Sequence, residues 1–251
     1  MPASLTEIIA HADRLLNTAL VADYPGAHNG LQLQNTGEIV RVTAAVDACE
    51  AIIERASATR NSLLIVHHGL FWTSQRHVGA AYRKLRAAIT SDLAIYSSHL
   101  PLDLHPELGN NIQLARALEL PAGEPAFPFK GQPIGLKIAA EVPRAELGAR
   151  LQRVLGGPVH LAPGGPETAR VIGIVTGGAG TEIAEAAKLG VDTFITGEGP
   201  HWSYTLAEEL GVNLFYGGHY ATETFGVKAL AAHLSAQFGL PWEFLDHPTG
   251  L

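Results

Sequence analysis

The chain has 251 residues, of which 47% are hydrophobic and 16% are charged, so it has enough apolar material for a sizeable core and is unlike a disordered protein. It carries 17 basic and 24 acidic residues, a formal charge of -7, and this balance does not predict a nucleic-acid-binding surface. Its single cysteine, Cys49, excludes an intramolecular disulfide and favours a reducing compartment.

The first half of the chain predicts alternating helices and strands. The opening segment SLTEIIAHADRLL is an amphipathic helix with Ser4 and Glu7 as a capping box. It is unlike a secretory signal, so we expect a cytoplasmic protein without a membrane span. The segment RVTAAVD predicts a strand whose last residue, Asp47, can cap a helix with Glu50 at its third position. Further strands are predicted at NSLLIVHHG and DLAIYSSH, and further helices at AAYRKLRAAIT and GNNIQLARALEL.

The second half repeats this alternation after a segment rich in proline. Residues 121–133 contain four prolines and two glycines, which indicates a linker. Beyond it we predict strands at IGLKIAAEV, RVIGIVTGG, VDTFITGEG and VNLFYGGH, with helices between them and a last helix to about Phe238. The pattern predicts an α/β fold of two domains, residues 1–125 and 126–251, with the C-terminal helix able to pack back on the first.

The two halves of the chain resemble one another. Residues 41–69 align with 170–199, and LAIYSSHLPLD at 93–103 aligns with NLFYGGHYATE at 213–223. Chance likeness between two α/β units would explain such a pattern. We favour a degenerate internal duplication, because the polar residues fall at matching strand ends. Since ligands bind at the carboxyl ends of parallel strands, a duplication would bring two such ends together.

His67 and His68 follow a strand directly, and Gly69 comes next. Neighbouring side chains in a straight strand point to opposite faces, but at a strand end both can lean into one cavity. They could then serve two metal ions about 3.5–4 Å apart. A pair of core or capping histidines would give the same sequence.

Two further groups carry donors of the same kind. His219 and Glu223 are four residues apart at a predicted helix start, so they share one face and form a good pair of metal ligands. Alternatively, Glu223 only complements the helix dipole. Asp103, in SSHLPLD, is either a loop cap or a ligand.

Together these residues provide three imidazoles and two carboxylates. This donor set suits zinc, manganese, iron or cobalt better than copper(I) or an iron–sulfur cluster. With Glu223 as a bridging carboxylate, five ligands would hold two divalent ions and leave positions open for water or substrate. Such an arrangement is typical of a hydrolytic two-metal centre.

The motifs HHGLFW, SSHLPLDLHPELGNN, TGEG and GGHYATE resemble the signatures of the family labelled GTP cyclohydrolase I type 2, or NIF-three-like. The resemblance covers essentially the whole chain. It implies a metal site in the cleft between two similar α/β domains, and a hexameric ring of protomers. The family's metal ligands match the five residues already selected: His67, His68, Asp103, His219 and Glu223.

Other residues are expected near this site. His99 corresponds to His219 in the repeat and is a candidate proton shuttle or pocket residue, or else it holds Asp103. Glu198 corresponds to His68, and is a candidate general base, an orienting residue or a plain helix-start carboxylate. The resemblance also suggests Asn29 as a pocket residue. The loop TGGAG, residues 176–180, could receive a phosphate, but we favour a plain tight turn.

The sequence favours a dinuclear-metal-dependent hydrolase that acts on a nucleotide-like small molecule. In the form that the family label suggests, water attacks C8 of the guanine of GTP and the ring opens. One alternative is a metal-dependent phosphoesterase. Another is a non-enzymatic metal-binding or regulatory ring protein.

Overall fold

The computed structural model describes residues 1–71 and 78–250, and it has the mixed α/β fold that the sequence predicts. Trp72, the last residue of the motif HHGLFW, lies outside the described residues. Contacts divide the chain into a first unit, Met1–Leu102 with Gly226–His247, and a second unit, Asp103–Phe225 with Pro248–Leu251. The domains at 1–125 and 126–251 stay a prediction.

Strands and helices alternate along most of the chain. The strands are β1 (Ala3–Ser4), β2 (Gly30–Leu33), β3 (Glu38–Ile39), β4 (Arg41–Asp47), β5 (Ser62–His68), β6 (Ala94–Ser97), β7 (Glu124–Phe129), β8 (Gln132–Pro143), β9 (His160–Pro163), β10 (Thr168–Ile174), β11 (Thr193–Thr196), β12 (Asn213–Tyr216) and β13 (Trp242–Phe244). The helices are α1 (Leu5–Leu15), α2 (Glu50–Ala56), α3 (Ala80–Thr90), α4 (Leu100–Asp103), α5 (Asn110–Ala117), α6 (Arg144–Leu155), α7 (Ile183–Lys188), α8 (His201–Leu210), α9 (His219–Thr222) and α10 (Thr224–Phe238).

The first unit is built on a five-stranded sheet in the order β13-β4-β5-β6-β2. β13, β4, β5 and β6 are parallel, and β2 pairs with β6 in the antiparallel sense at the edge. The near-continuous apolar runs of β4 and β5 fit a sheet covered on both faces. Leu64 and Val66 of β5, for example, pack in one cluster with Ile52 and Ile53 of α2.

The two helix starts predicted in the first unit have different outcomes. Ser4 caps α1, since its hydroxyl accepts a hydrogen bond from the Glu7 amide at 3.4 Å. The prediction that Asp47 caps the next helix is wrong, because α2 begins after Cys49 with no side-chain cap. Asp47 is instead the last residue of β4. Its carboxylate is therefore at the carboxyl end of the sheet.

The second unit is built on a six-stranded sheet in the order β7-β8-β10-β11-β12-β9. β10, β11 and β12 are parallel, and β8 and β9 are their antiparallel neighbours. The predicted linker at 121–133 is wrong, since β7 lies within it and pairs with β8 at the sheet edge. An edge strand tolerates proline, which cannot donate a ladder hydrogen bond. Phe127 of this strand is buried and stacks on Phe194 at 5.1 Å between ring centroids.

Each unit contains three consecutive parallel strands, β4-β5-β6 in the first and β10-β11-β12 in the second. These are the strands that the two aligned halves of the sequence share, although the internal duplication itself stays a prediction. Of the predicted site residues, His67 and His68 end β5, and His99, Glu198 and His219 lie two or three residues beyond β6, β11 and β12. No described helix combines the length and the hydropathy that crossing a bilayer requires.

Candidate metal centre

Three histidines cluster at the carboxyl ends of β5 and β6 in the first unit. His67 and His68 end β5, and His99 lies two residues beyond β6, which is the parallel neighbour of β5. The ring centroid of His67 lies 4.8 Å from that of His68 and 4.7 Å from that of His99. The three residues offer ligand atoms within 4.8 Å of one another, so this group could hold a metal ion.

Main-chain and carboxylate oxygens fix the rings of His67 and His68. Nδ1 of His67 lies 3.0 Å from the carbonyl oxygen of Ser98, and Nδ1 of His68 lies 2.9 Å from Oδ1 of Asp47. A carbonyl or carboxylate oxygen only accepts, so Nδ1 of each neutral ring carries the proton. The lone pair of each ring is then on Nε2, which is the tautomer that a metal ligand needs.

His99 is held by Asp23, which the sequence analysis did not select. Nδ1 of His99 lies 2.8 Å from Oδ1 of Asp23, and Oδ2 of Asp23 accepts from Asn29 at 2.9 Å and from the Leu100 amide at 3.0 Å. Burial alone would raise the pKa of Asp23, but the facing His99 and the hydrogen bonds from His99, Asn29 and the Tyr24 amide lower it below its ordinary value. Asp23 is therefore ionised and fixes the orientation of His99. Asn29 also accepts from the His99 amide at 2.7 Å.

In the second unit, His219 lies between two carboxylates. Nε2 of His219 lies 3.2 Å from Oε2 of Glu223, and its Nδ1 lies 2.8 Å from Oε1 of Glu198. Glu223 is buried, with 3% of its surface exposed. Burial lowers the pKa of His219, but the hydrogen bonds and charges of Glu223 and Glu198 outweigh that effect and raise it to about 9. A metal ion bound there would replace the proton on Nε2.

The turn after β10 makes room for Glu223. Gly177 has φ +72°, and a Cβ on it would overlap Oε1 of Glu223. At the next residue, Gly178, a Cβ would stand 3.6 Å from the His219 ring, which is an ordinary contact. The absence of a side chain at Gly177 therefore leaves the space that the carboxylate of Glu223 fills.

Four amides of the loop at 176–180 donate hydrogen bonds within the protein. The amides of Thr176 and Gly177 donate to the side chains of Asn111 and Thr222, each at 3.0 Å. The amides of Ala179 and Gly180 donate to Thr196 and to the carbonyl of Glu198. These hydrogen bonds favour a tight structural turn at 176–180, and not a phosphate-binding loop.

Asp103 is the last residue of α4 and is buried, with 8% of its surface exposed. Its Oδ1 accepts a hydrogen bond of 2.7 Å from the side-chain amide of Asn110, which is fully buried. This bond orients the carboxylate. His105, in the same segment, is structural, since its Nδ1 accepts from the amides of Glu107 and Leu108.

The donor set fits divalent cations. Four histidines have Nδ1 in contact with an oxygen acceptor, three of them with a carboxylate, as metal-ligating histidines commonly do. The first unit brings His67, His68 and His99 together, and the second brings together His219, Glu223 and Glu198. Sequence reasoning missed the orienting residues Asp23 and Asp47. The contact of Asp47 with His68 could have been predicted, because the two residues end neighbouring strands.

The chain is similar to known proteins over almost its whole length. A family model described as Duf34/NIF3 (NGG1p interacting factor 3) matches residues 3–249. A relative from Deinococcus radiodurans is 43% identical over 229 residues, covering 89% of this chain and 86% of the relative. A relative from Pyrococcus abyssi is 38% identical, with 98% of each chain covered. Both carry the name GTP cyclohydrolase 1 type 2 homolog.

Solved structures match over the full length of the chain. The crystal structure of TTHA1606 from Thermus thermophilus has a TM-score of 0.90 and 39% sequence identity, and covers 99% of this chain and 100% of its own. The protein ybgI, described as of unknown function, has a TM-score of 0.91 and 33% identity, with the same coverage. The fold described above is therefore the fold of these relatives.

Proposed function

This chain belongs to the Duf34/NIF3 (NGG1p interacting factor 3) family, and from that premise we propose that it is a dinuclear-metal-dependent hydrolase of a nucleotide-like substrate. The observation that carries the proposal is the shared orientation of four histidines. Each has its Nδ1 in contact with an oxygen acceptor, at 2.8–3.0 Å. Core packing or helix capping does not require four imidazoles that all have Nδ1 bound to an oxygen acceptor, whereas metal ligation commonly uses this arrangement.

The proposed centre holds two divalent ions, which could be zinc, manganese, iron or cobalt. Five residues are the proposed ligands, with Glu223 as the bridge, in a cleft between the two predicted domains: His67, His68, Asp103, His219 and Glu223. When bound, the ions would supply a hydroxide nucleophile at neutral pH and would polarise the bond under attack.

His99 and Glu198 have different proposed roles. Asp23 keeps the proton of His99 on Nδ1, so Nε2 of His99 can accept a proton and return it during turnover. Oε1 of Glu198 is engaged by Nδ1 of His219, and this contact favours an orienting role over that of general base.

GTP is the first substrate to test, because the curated relatives carry the name GTP cyclohydrolase 1 type 2 homolog. Hydrolytic opening of the guanine ring at C8 would release formate, whereas a phosphoesterase would release phosphate. The metal-loaded protein is incubated with GTP, and both products are followed by NMR, with Glu223→Gln as the control. Formate production supports ring opening, and phosphate production supports the phosphoesterase. If neither GTP nor a broad nucleotide panel is consumed, the hydrolase proposal is contradicted in favour of a metal-binding or regulatory protein.

We also propose that the chain assembles into a hexameric ring in the cytoplasm. The family resemblance supports the ring. Light scattering should then give a mass of about six times the 26.6 kDa of one chain. A mass of one chain would contradict it.

A further inference from the structure

A cavity of about 660 Å³ lies in the second unit beside Glu198. Glu198 is one of its lining residues and also contacts Nδ1 of His219 at 2.8 Å. The cavity is thus adjacent to the half of the proposed centre that His219 and Glu223 supply. Its volume falls within the range of about 300–1,000 Å³ that is usual for small-molecule sites.

The lining of the cavity includes side chains with rings. Tyr204 and Tyr216 line it, together with Pro158 and Pro200. The hydroxyl of the buried Ser203 donates to the carbonyl of Pro200 and so accepts from the Tyr216 hydroxyl, each bond being 2.6 Å long. This chain of bonds fixes the ring of Tyr216. A planar ligand could therefore stack without a large loss of side-chain entropy in the protein.

Glycines form another part of the lining. Gly197, Gly199 and Gly218 contribute only main chain, and the Gly218 amide donates to the Gly197 carbonyl at 2.9 Å. A flat ring can approach such a surface more closely than one covered by side chains. Aromatic rings combined with bare main chain favour a planar ligand over a bulky or branched one.

The charges of the residues that line the cavity do not favour the phosphates of a nucleotide. None of the described residues that line it is a lysine or an arginine, and Glu198 is the acidic one. The polar groups beside it are the imidazoles of His160 and His201 and the tyrosine hydroxyls. Phosphate recognition normally uses lysine, arginine or a metal ion. A neutral heterocycle, in contrast, can stack on the tyrosines and form hydrogen bonds with the imidazoles.

We infer that this cavity binds the planar base of a purine nucleoside or nucleotide and leaves its phosphates outside. The inference rests on the proposed function, from which it takes the nucleotide-like substrate. What it adds is which part of that substrate the second unit recognises. The base would then lie next to Glu198 and His219. In this arrangement the ring of Tyr204 stacks on the base.

Calorimetry with the full chain tests this inference without turnover. The titrants are guanosine, ribose 5-phosphate and inorganic triphosphate, each added to the metal-loaded and to the chelator-treated protein. Guanosine should bind both forms with similar Kd, whereas the other two should not bind the chelator-treated form. Tyr204→Ala should weaken guanosine binding about 5- to 150-fold, which is the range for the loss of one base–aromatic stack.

A matched control lies on the same helix. Trp202 is a more exposed aromatic residue of α8, at 48% against 38% for Tyr204, and it is not among the described residues that line the cavity. Trp202→Ala should change the Kd of guanosine less than about twofold, and Tyr204→Phe, which keeps the ring, should retain binding. Thermal melts of the variants separate lost binding from lost folding.

Two results would overturn the inference. One is an equal loss of guanosine binding in Tyr204→Ala and Trp202→Ala, or no loss in either. The other is binding of triphosphate to the chelator-treated protein that competes with guanosine. A failure of the proposed function is distinguishable from both, because a protein that binds no metal or turns over no GTP can still bind guanosine through Tyr204.

Discussion

Nδ1 of His68 lies 2.9 Å from Oδ1 of Asp47, and the two residues are register partners on the adjacent parallel strands β5 and β4. The sheet therefore places the carboxylate beside the imidazole. Asp47 is partly exposed, with 35% of its side chain accessible, and it starts no helix. Its described contact is with the ring that we propose as a metal ligand, which gives it a testable role.

Replacing this carboxylate should weaken metal binding. In Asp47→Asn, the amide can donate to Nδ1 as well as accept from it, so the tautomer of His68 is no longer fixed. We expect the affinity for one of the two ions to fall about 10- to 100-fold. Competition with a chromogenic chelator measures this change.

Asp92→Asn is the matched control for that experiment. Asp92 is also an aspartate of the first unit, but it precedes β6 and binds Thr36 at the opposite end of the strand from His99. Its replacement should leave metal affinity unchanged. Equal affinities of wild type and Asp47→Asn would show that Asp47 does not tune the site.

Gly177 and Gly178 provide a neighbouring pair with opposite expected outcomes. A Cβ at Gly177 would overlap Glu223 and would also have φ +72°. Gly177→Ala should therefore displace Glu223, lower the metal content, and reduce the free energy of unfolding by about 1 kcal/mol or more. Gly178→Ala should have a much smaller effect on metal content. Elemental analysis and urea unfolding compare the two variants. Equal metal contents would contradict the inference that Gly177 leaves the space for the carboxylate of Glu223.

Glu223 is the proposed bridge, so its loss should affect metal occupancy directly. We expect Glu223→Ala and Glu223→Gln to retain at most one ion per chain and to lose any hydrolytic activity. Glu185→Gln, which removes a carboxylate paired with Lys188, should keep wild-type metal content. Full occupancy of both sites in the Glu223 variants would rule out the bridging role.

The contact between His11 and His233, which lies away from the proposed centre, should make the stability of the fold sensitive to acid. Their Nε2 atoms lie 2.9 Å apart, and the rings stack at 5.2 Å between centroids. Burial, then His233 and Arg14, lower the pKa of His11 below its ordinary value of 6.5. Below pH 6.5 the unfolded chain therefore binds a proton at His11 more readily than the folded chain.

The consequence is a free energy of unfolding that falls as the pH decreases from 6.5 towards the lower pKa of folded His11. Urea unfolding at about pH 7.5 and about pH 5.5 should show this loss in the wild type and a smaller loss in His11→Gln. His160→Gln, which removes an exposed histidine of the second unit, should behave like the wild type. The same pH dependence in His11→Gln and wild type would refute this assignment.

The sequence predicted the parallel core of each unit because β4, β5, β10 and β11 are apolar runs followed by turn residues and helices. It failed at residues 121–133, where composition indicated a linker and pairing with β8 made an edge strand. The short strands β2, β9 and β13 were also missed. Their residues alternate weakly, and tertiary pairing determines their conformation.

The candidate site was predictable to the extent that its residues follow strands. His67 and His68 were selected from that position. His219 was selected from its spacing to Glu223, and His99 and Glu198 from their correspondence to His219 and His68 in the repeat. Asp23 was missed because it lies in a turn-rich segment 76 residues from His99. Neither periodicity nor spacing predicts a contact over that separation.

The most direct test of the proposed centre is anomalous X-ray diffraction from crystals of the protein loaded with manganese, iron, cobalt or zinc. We predict two anomalous peaks per chain, about 3.5–4 Å apart, with Glu223 between them and Nε2 of His67, His68 and His219 facing them. A single peak, peaks away from these residues, or no peak in metal-loaded crystals would contradict a dinuclear centre.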